Sequence, residues 1–327
     1  MANGLTMTRS PDGEMRELSQ SQAPNVIASA SCQRNRMMQS DDSSTPAIPP
    51  PTWIPGAFSS DNPYMSYDFA RAYENAASRI TGPISIAALD LVGNIGPDTQ
   101  LLDIAAGTGA LSVPAAEQGA SVLAIDNAPG MVRRLSERLT GFPRCEARLM
   151  DGQALEIANA SFDAALSIVG VSMFAEWRKG LRELVRVLRP GGRGCVATWR
   201  KPPGGGPFLV MAQALRKVFP DHPAPAAPEG FVALSDPARL GDEMREAGLT
   251  DVSVIEIEAT WEGPAGEAYL EELKELHPYM GPYRMLTSDQ RRAVDEAILA
   301  ILDKITSNGR VTLSSPVLLG LGLGIRK

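Results

Sequence analysis

The segment Leu101–Ser112, with the sequence LLDIAAGTGALS, constrains the fold of this chain more than any other. A short apolar run ends in Asp103, a loop of small residues follows at Ala105–Gly109, and the chain then becomes compatible with a helix. This order predicts a strand, a tight turn and a helix start, where backbone N–H groups can face a ligand. Small side chains in the turn allow that ligand to lie against the main chain.

Two classes of ligand suit a glycine-containing turn of this kind. The dinucleotide pattern G-x-G-x-x-G requires a third glycine, and Ser112 occupies that position. Asp103, at the strand end beside the loop, would repel a pyrophosphate but suits a ligand that carries an ammonium group or a bound water. The residues therefore favour a ligand without phosphate, and a dinucleotide-dependent oxidoreductase is kept as an alternative.

A second strand, Ser121–Asp126, also ends in a carboxylate. A carboxylate at this point can accept two hydrogen bonds from the hydroxyl groups of a ribose. Charge-assisted bonds of this type contribute about 1.5–3 kcal/mol each. Asp126 could instead cap the helix that begins near Pro129, and the two roles are compatible.

Three further motifs follow in order along the chain. They are Asp151-Gly152 after a third strand, a fourth strand at Phe162–Val169, and the sequence LRPGG at Leu188–Gly192 ahead of a fifth strand. Together with the first two motifs they resemble the class I family of S-adenosylmethionine (SAM)-dependent methyltransferases, and within it the ubiquinone/menaquinone methyltransferase-like group. The resemblance covers about residues 64–200, and Ala105 stands in place of the first glycine of the family's motif.

The resemblance implies a SAM site on the loop after the first strand. The acid of the second strand would bind the ribose, the acid after the third strand would meet the adenine amino group, and the fourth strand would end over the methionine part. A helix ahead of the first strand would fold over SAM, with its tyrosine on the cofactor or substrate. An Asp-Gly turn and a helix that merely packs on the domain are the alternatives. The implied cofactor-binding residues are Asp103, Ala105, Gly107, Thr108, Gly109, Asp126, Asn127, Asp151, Gly152, Ile168 and Tyr73.

Fewer sequence features indicate which residues would bind the molecule that accepts the methyl group. SAM carries its own activated methyl group, and alignment of donor and acceptor can contribute roughly 7–11 kcal/mol. A hydroxyl acceptor requires a base, for which His277 is the candidate because histidine titrates near neutral pH. A surface or helix-capping histidine ahead of Pro278 is the alternative. The candidates for an aromatic acceptor pocket are Phe174, Trp199, Tyr279 and Tyr283, and the alternative is that these side chains fill the core.

Strands alternate with helices from Leu101 to Thr198, which predicts an α/β fold with a parallel sheet covered on both faces. Ahead of the first strand, separate helices are predicted around Tyr67–Asn75 and at Ile84–Leu91, and the fifth strand is predicted at Gly194–Trp199. The resemblance implies a Rossmann-like sheet of seven mostly parallel strands. Its last strand, near Val317–Ile325, would run antiparallel between the fifth and the sixth.

The composition also predicts how the chain is divided. Residues 1–55 are rich in Ser, Gln, Met and Pro, and we expect a disordered tail there. The methyltransferase domain would then span 56–327. Insertions at about 200–234 and 263–307 are expected to form a mainly helical cap that shapes the acceptor pocket.

Two helix starts are also predicted in this part of the chain. Ser235 is expected to cap one helix, and Thr287 with Gln290 forms a capping box at the start of another.

Charge and composition exclude several function classes. The formal net charge of −7 argues against a nucleic-acid partner. The chain has no apolar run of about 18 residues and no signal-peptide core at its N-terminus, so we expect no membrane span and a cytoplasmic location. Two histidines and unpaired cysteines predict no metal site. We expect a monomer or homodimer that acts on a small-molecule acceptor. The first alternative is a SAM-binding regulatory or partner protein without methyl transfer, and the second is the dinucleotide-dependent oxidoreductase.

Overall fold

The computed structural model describes residues 65–201, 204–222 and 226–325. The expected tail at 1–55 lies outside these ranges, so the predicted domain limits stay a prediction. Across the described ranges, every helix is too short or too polar to cross a membrane.

The strands of the described residues join in one sheet. They are β1 (Gln100–Ile104), β2 (Ser121–Asp126), β3 (Cys145–Leu149), β4 (Phe162–Ile168), β5 (Leu188–Trp199), β6 (Leu249–Pro264), β7 (Thr306–Ser307) and β8 (Arg310–Gly324). Helices cover both faces of this sheet. They are α1 (Tyr67–Val92), α2 (Ser112–Glu117), α3 (Pro129–Leu139), α4 (Trp177–Arg186), α5 (Pro207–Val218), α6 (Glu229–Ala233), α7 (Pro237–Glu246), α8 (Glu267–Leu273) and α9 (Ser288–Leu302).

The order of the strands in the sheet is β3-β2-β1-β4-β5-β8-β6, with β7 paired to β8. Strands β1 to β5 pair in parallel. Strand β8 is antiparallel to both β5 and β6. This topology confirms the α/β class and the antiparallel last strand between the fifth and the sixth. The two-residue β7 is an addition to the seven strands expected.

Side chains alternate along the strands and divide the core into two clusters. One cluster lies under α1, α2, α3, α5, α8 and α9, and we call this side of the sheet the α1 face. The other lies under α4 and α7, on the α4 face. Four side chains at the carboxyl ends of the parallel strands point toward the α1 face, because the residue two positions before each of them belongs to the cluster on that face. These four residues are Asp103, Asp126, Ile168 and Trp199. Ligands of parallel α/β sheets bind at this carboxyl edge.

Helix α1 differs from the prediction, which had separate helical segments around Tyr67–Asn75 and Ile84–Leu91. The structure has one helix of 26 residues with Pro83 inside it. Ser66 caps its start by accepting a hydrogen bond from the Phe69 N–H (3.1 Å). Buried residues lie on both sides of the proline, so packing against the sheet outweighs its local tendency to end a helix.

Several element boundaries also differ from the prediction. Strand β5 begins at Leu188 rather than Gly194, and β8 begins at Arg310 rather than Val317. Helix α7 is capped by Asp236, which accepts from the Arg239 N–H (2.9 Å), and not by Ser235. Aspartate followed by proline at the first helical position is a strong helix start, which explains the shift by one residue.

The cap consists of α5, α8 and α9 with the two 3₁₀ turns at His277–Tyr279 and Tyr283–Met285. Helix α5, from the first predicted insertion, packs on α9 from the second. The capping box predicted for α9 is present, because Thr287 and Gln290 each bond the backbone N–H of the other. The mainly helical cap is therefore confirmed and lies on the α1 face.

Candidate functional site

The loop after β1 follows a backbone path that small residues favour. Ala105, Gly107 and Gly109 have φ angles of 58°, 55° and 91°. A Cβ atom at Gly107 would meet no other atom within 4 Å, whereas one at Gly109 would collide with the side chain of Leu135. Gly109 thus allows α3 to pack against the loop, and Gly107 borders open space in which a ligand can approach the main chain.

Asp126, at the end of β2, holds the loop in place. Its carboxylate accepts hydrogen bonds from the N–H groups of Gly107 (2.8 Å) and Ala128 (2.9 Å). Burial raises the pKa of Asp126, and these N–H groups oppose that shift. Ala128, and not Asp126, is the N-cap residue of α3. Each carboxylate oxygen has a second lone pair, so Asp126 can still accept bonds from a ligand.

Asp103, at the end of β1, is only 1% exposed. The hydroxyl of Ser112 donates a hydrogen bond of 2.6 Å to it. Burial raises the pKa of Asp103 to about 7, the Ser112 bond lowers it in part, and the nearby charge of Asp126 raises it further. From the sequence, Ser112 was notable only as the residue in place of a third glycine, and its contact with Asp103 was not predicted. A hydroxyl at the start of the helix after an acidic strand end was the available signal.

A cavity of about 40 Å³ lies between this loop and α1. Helix α1, strand β1, strand β4 and the loop all contribute to its wall. Predicted cofactor residues in the wall are Tyr73, Asp103, Ala105, Gly107, Thr108 and Ile168. The wall also contains residues that the sequence analysis did not single out, namely Thr81, Ser85, Ala106, Ala110 and Leu111.

Tyr73 lies on the side of α1 that faces the loop. Burial raises the pKa of its hydroxyl to about 12, and the charge of Asp126 contributes to this shift. The Tyr73 ring packs on Phe69 (centroids 5.7 Å apart), and Phe69 packs on Tyr279 (5.0 Å). Tyr279 of the cap is thereby connected to the cavity wall through Phe69 and Tyr73.

The predicted adenine-binding residues lie at the neighbouring strand end. Asp151 accepts hydrogen bonds from the backbone N–H (2.8 Å) and side-chain amide (2.9 Å) of Gln153, so it forms the turn that was the alternative to ligand contact. Asn127 is half-buried beside Asp126. The role of Asp151, Gly152 and Asn127 toward adenine and ribose stays a prediction.

Phe174 is separated from the other predicted acceptor residues. Its ring lies against Gly152 and Gly180, where added Cβ atoms would each come within 2.6 Å of it. It packs with the cluster on the α4 face, whereas Tyr279 and Tyr283 belong to the α1 face. The structure therefore does not bring Phe174 together with the aromatic residues of the cap.

Trp199 and Tyr283 lie on the α1 face but are engaged in packing. The chain around Gly204 covers Trp199, since a Cβ atom added at Gly204 would lie 3.2 Å from the indole nitrogen of Trp199. The Tyr283 hydroxyl donates to Asp295 of α9 (2.8 Å), and the guanidinium of Arg291 lies 5.8 Å from its ring centroid. Neither residue lines the cavity beside the loop.

His277 is only 3% exposed, which excludes the surface position considered as its alternative. Its ring packs between Tyr283 (centroids 5.3 Å apart) and Tyr269 (6.3 Å). Burial lowers the pKa of His277 to about 4, so the imidazole is neutral at pH 7. His277 does not line the cavity, and its assignment as a base stays a prediction.

Comparison with known proteins agrees with this geometry. The family described as "Methyltransferase domain" matches residues 101–192, which run from the second residue of β1 into β5 and include the loop after β1. Demethylmenaquinone methyltransferase from Renibacterium salmoninarum is 32% identical over 174 residues, which cover 50% of this chain and 72% of that protein. The chain belongs to the class I SAM-dependent methyltransferases. Within that family it is of the quinone methyltransferase-like type.

Other methyltransferases match different lengths of the chain. Nocamycin O-methyltransferase from Saccharothrix syringae is 28% identical over 270 residues, 77% of this chain and 95% of that protein. The chain spans about half the length (47%) of the first curated relatives that it matches. The solved phosphoethanolamine N-methyltransferase 2 of Haemonchus contortus has a TM-score of 0.50 at 16% identity, over 81% of this chain and 59% of that chain, which shows a shared fold.

The match to the methyltransferase family ends before the cap. Residues 101–192 contain the predicted cofactor residues except Tyr73, which lies on α1. The cap residues Tyr279, Tyr283 and His277 lie beyond the matched segment. Among the residues that the structure describes, no group of three or more His, Cys, Asp or Glu side chains is placed to hold a metal ion.

Proposed function

We propose that this methyltransferase transfers the methyl group of SAM to a small organic acceptor. The observation that carries the proposal is the cavity beside the loop, where Asp103, Gly107 and Ile168 come together from different elements. When bound, SAM supplies an activated methyl group, so the protein's own contribution is to bind, orient and exclude water.

The side chains around the loop suit SAM chemically. Asp103 is an acceptor for the ammonium group, and Asp126 has free lone pairs for the ribose hydroxyls. No lysine or arginine belongs to the described wall of the cavity, and Asp103 would oppose a phosphate there. The open side of Gly107 leaves room for the ligand to contact the main chain.

These contacts also separate the proposal from its alternatives. A dinucleotide-dependent oxidoreductase requires room for a pyrophosphate at the loop, and Ser112 instead binds a buried carboxylate there. A SAM-binding protein without methyl transfer requires no acceptor pocket. The cap packs against α1 on the same face as the cavity and supports an acceptor site next to the cofactor.

We propose that the acceptor is a small and largely uncharged molecule. The net charge of −7 is unfavourable for nucleic acid. The aromatic ring of Phe69 on α1 connects the cavity wall to the ring of Tyr279 in the cap. In this proposal His277 packs the cap, because its contacts are aromatic rings and its neutral form is favoured by burial.

The test combines binding with turnover. Calorimetry should show that the protein binds SAM and S-adenosylhomocysteine in preference to NAD(H). Incubation with methyl-labelled SAM and a panel of phenolic, amine, thiol and quinol acceptors should release S-adenosylhomocysteine and label one acceptor class. Preferential NAD(H) binding would contradict the proposal, and SAM binding without turnover on any acceptor would favour the regulatory alternative.

The variant Asp126→Ala provides the control for the site. It removes the acceptor for the ribose and the bond to the Gly107 N–H, so we expect SAM binding to weaken by about 2–3 kcal/mol. The matched variant Asp242→Ala alters an exposed carboxylate on α7 that pairs only with Arg245, and should leave SAM affinity unchanged. Wild-type affinity in Asp126→Ala would show that this acid does not hold the ribose.

A further inference from the structure

Helix α1 presents two hydroxyl side chains to the cavity. Thr81 and Ser85 are one helical turn apart, and both belong to the cavity wall opposite the loop. Thr81 is 8% exposed and Ser85 is fully buried. Two buried hydroxyl groups that share a cavity with Asp103 are available to a polar part of a ligand.

Both hydroxyls now bond within their own helix. The Thr81 hydroxyl donates to the Ala77 carbonyl (3.3 Å), and the Ser85 hydroxyl donates to the Thr81 carbonyl (2.8 Å). Carbonyls inside a helix already accept a backbone N–H, so these side-chain bonds are secondary. A hydroxyl can rotate about its χ1 bond and donate to a ligand while the helix keeps its own hydrogen bonds.

The charges around the cavity indicate which ligand group would use these donors. The amino-acid end of SAM carries an ammonium and a carboxylate. Asp103 suits the ammonium, but no lysine or arginine among the described residues lines the cavity to meet the carboxylate. The side-chain donors in the wall are hydroxyls: Thr108 lies on the loop, whereas Thr81 and Ser85 lie together on α1, as does Tyr73 nearer the start of that helix.

We propose that Thr81 and Ser85 bind the carboxylate of the amino-acid end of SAM. This inference rests on the proposed function and assigns a part of the cofactor site that the loop motif does not supply. Neutral hydroxyl donors to a charged acceptor form the stronger class of hydrogen bond. Helix α1 would then take part in cofactor binding through two side chains in the middle of its length, in addition to Tyr73.

The decisive experiment compares SAM with decarboxylated SAM, which keeps the adenosine, the sulfonium and the ammonium but lacks the carboxylate. Calorimetry on the full chain should show that the wild type prefers SAM. In Thr81→Val/Ser85→Ala we expect SAM affinity to fall about 10-fold or more, and affinity for decarboxylated SAM to change less than about two-fold. The preference for SAM should therefore disappear.

Two further variants control for structure. The Ser78 hydroxyl makes the same kind of bond to the Glu74 carbonyl of α1, but Ser78 does not line the cavity, so Ser78→Ala should leave both affinities unchanged. Thr81→Ser with native Ser85 keeps both hydroxyls and should retain the preference for SAM. Circular dichroism and thermal unfolding would verify that each variant is folded.

The outcomes separate this inference from the proposed function. If the double variant loses the two affinities equally, or loses neither, the hydroxyls do not bind the carboxylate, while wild-type SAM binding still supports the function. The same conclusion follows if the wild type does not distinguish SAM from its decarboxylated form. If the wild type binds neither nucleoside, the proposed function itself fails and this inference fails with it.

Discussion

The loop after β1 (Ala105–Gly109) and the cap lie on the same face of the sheet, but different interactions hold them in place. Around the loop, charged side chains bond to backbone atoms and to one another. The Arg138 guanidinium donates to the Thr108 carbonyl (2.5 Å) and lies 3.4 Å from the Glu74 carboxylate of α1. Arg134 also pairs with Glu74, so α3 joins the loop to α1 through these two arginines.

In the cap, aromatic rings pack on one another. Trp261 of β6 donates its indole N–H to the Ala76 carbonyl of α1 (2.8 Å) and meets the ring of Tyr269 edge-on (5.6 Å). Tyr269 in turn packs on His277. Directional bonds fix the positions of individual atoms around the loop, where we propose that the cofactor binds, whereas ring packing in the cap fixes a shape. The loop should therefore tolerate substitution less well than the cap.

The largest effect is expected from Gly109→Ala. A Cβ there would be strained at φ 91° and would displace the fully buried Leu135. We expect unfolding free energy to fall by about 2–3 kcal/mol, measured by urea denaturation. Gly107→Ala is the matched control, since its Cβ would meet only open space; it should cost about 1 kcal/mol of stability yet weaken SAM binding. Equal stability losses in the two variants would contradict this distinction.

The next effect concerns the pH dependence of SAM binding. Burial raises the pKa of Asp103 to about 7 in the free protein, and a bound ammonium group would stabilise its ionised form and lower that pKa. Binding below pH 7 should therefore release a proton, and affinity should rise as pH increases from about 5.5 to 7 by up to roughly 10-fold per unit.

Calorimetry in buffers of different ionisation enthalpy would count the released proton. Asp103→Asn cannot ionise and should bind SAM more weakly, with little dependence on pH in the same window. Proton uptake on binding, or an unchanged pH profile in the variant, would show that Asp103 does not face the ammonium group.

A smaller effect is expected where α3 joins the loop. Arg138→Leu removes the bond to the Thr108 carbonyl and the pairing with Glu74, so stability should fall by about 1–2 kcal/mol and SAM affinity by a few-fold. Arg133→Leu, on the same helix, removes an exposed pair with Glu137 and a contact with the Tyr67 ring, and should lower stability much less than Arg138→Leu. Urea denaturation and calorimetry would show whether the two arginines differ as expected.

The sequence predicted the loop better than the cap because the loop's contacts are local. Asp103, Ser112 and the glycines lie within one short segment, and the backbone conformation there depends on residue size. Ser112 was nevertheless missed, since its role depends on the burial of the acid that it contacts. Pattern alone could show the motif but could not show which donor satisfies the buried carboxylate.

The contacts that sequence could not predict join residues distant along the chain. Thr81 and Ser85 lie on either side of Pro83, and both reach the cavity because α1 continues through that proline. From the sequence, this helix was predicted as two separate segments. Phe174 was grouped with the cap aromatics by residue type, but it lies in the connection between β4 and α4, and its ring packs on the α4 face. Residue type predicts aromatic packing, whereas the partner depends on the sheet face to which each ring belongs.

The smallest effect, and the one that most directly tests the cap, is expected from His277→Phe. If His277 packs between Tyr269 and Tyr283, a phenyl ring should occupy its place and methyl-transfer rates at pH 7.5 should stay within about three-fold of the wild type. If His277 is the base that a hydroxyl acceptor requires, the rate should fall by about 100-fold or more, since proton transfer by a positioned side chain contributes 10²–10⁴-fold. Rates at saturating acceptor, with thermal unfolding as the control for packing, distinguish the two roles. A large loss of rate in a variant of wild-type stability would mean that the acceptor approaches His277 and that the cap does more than provide a shape.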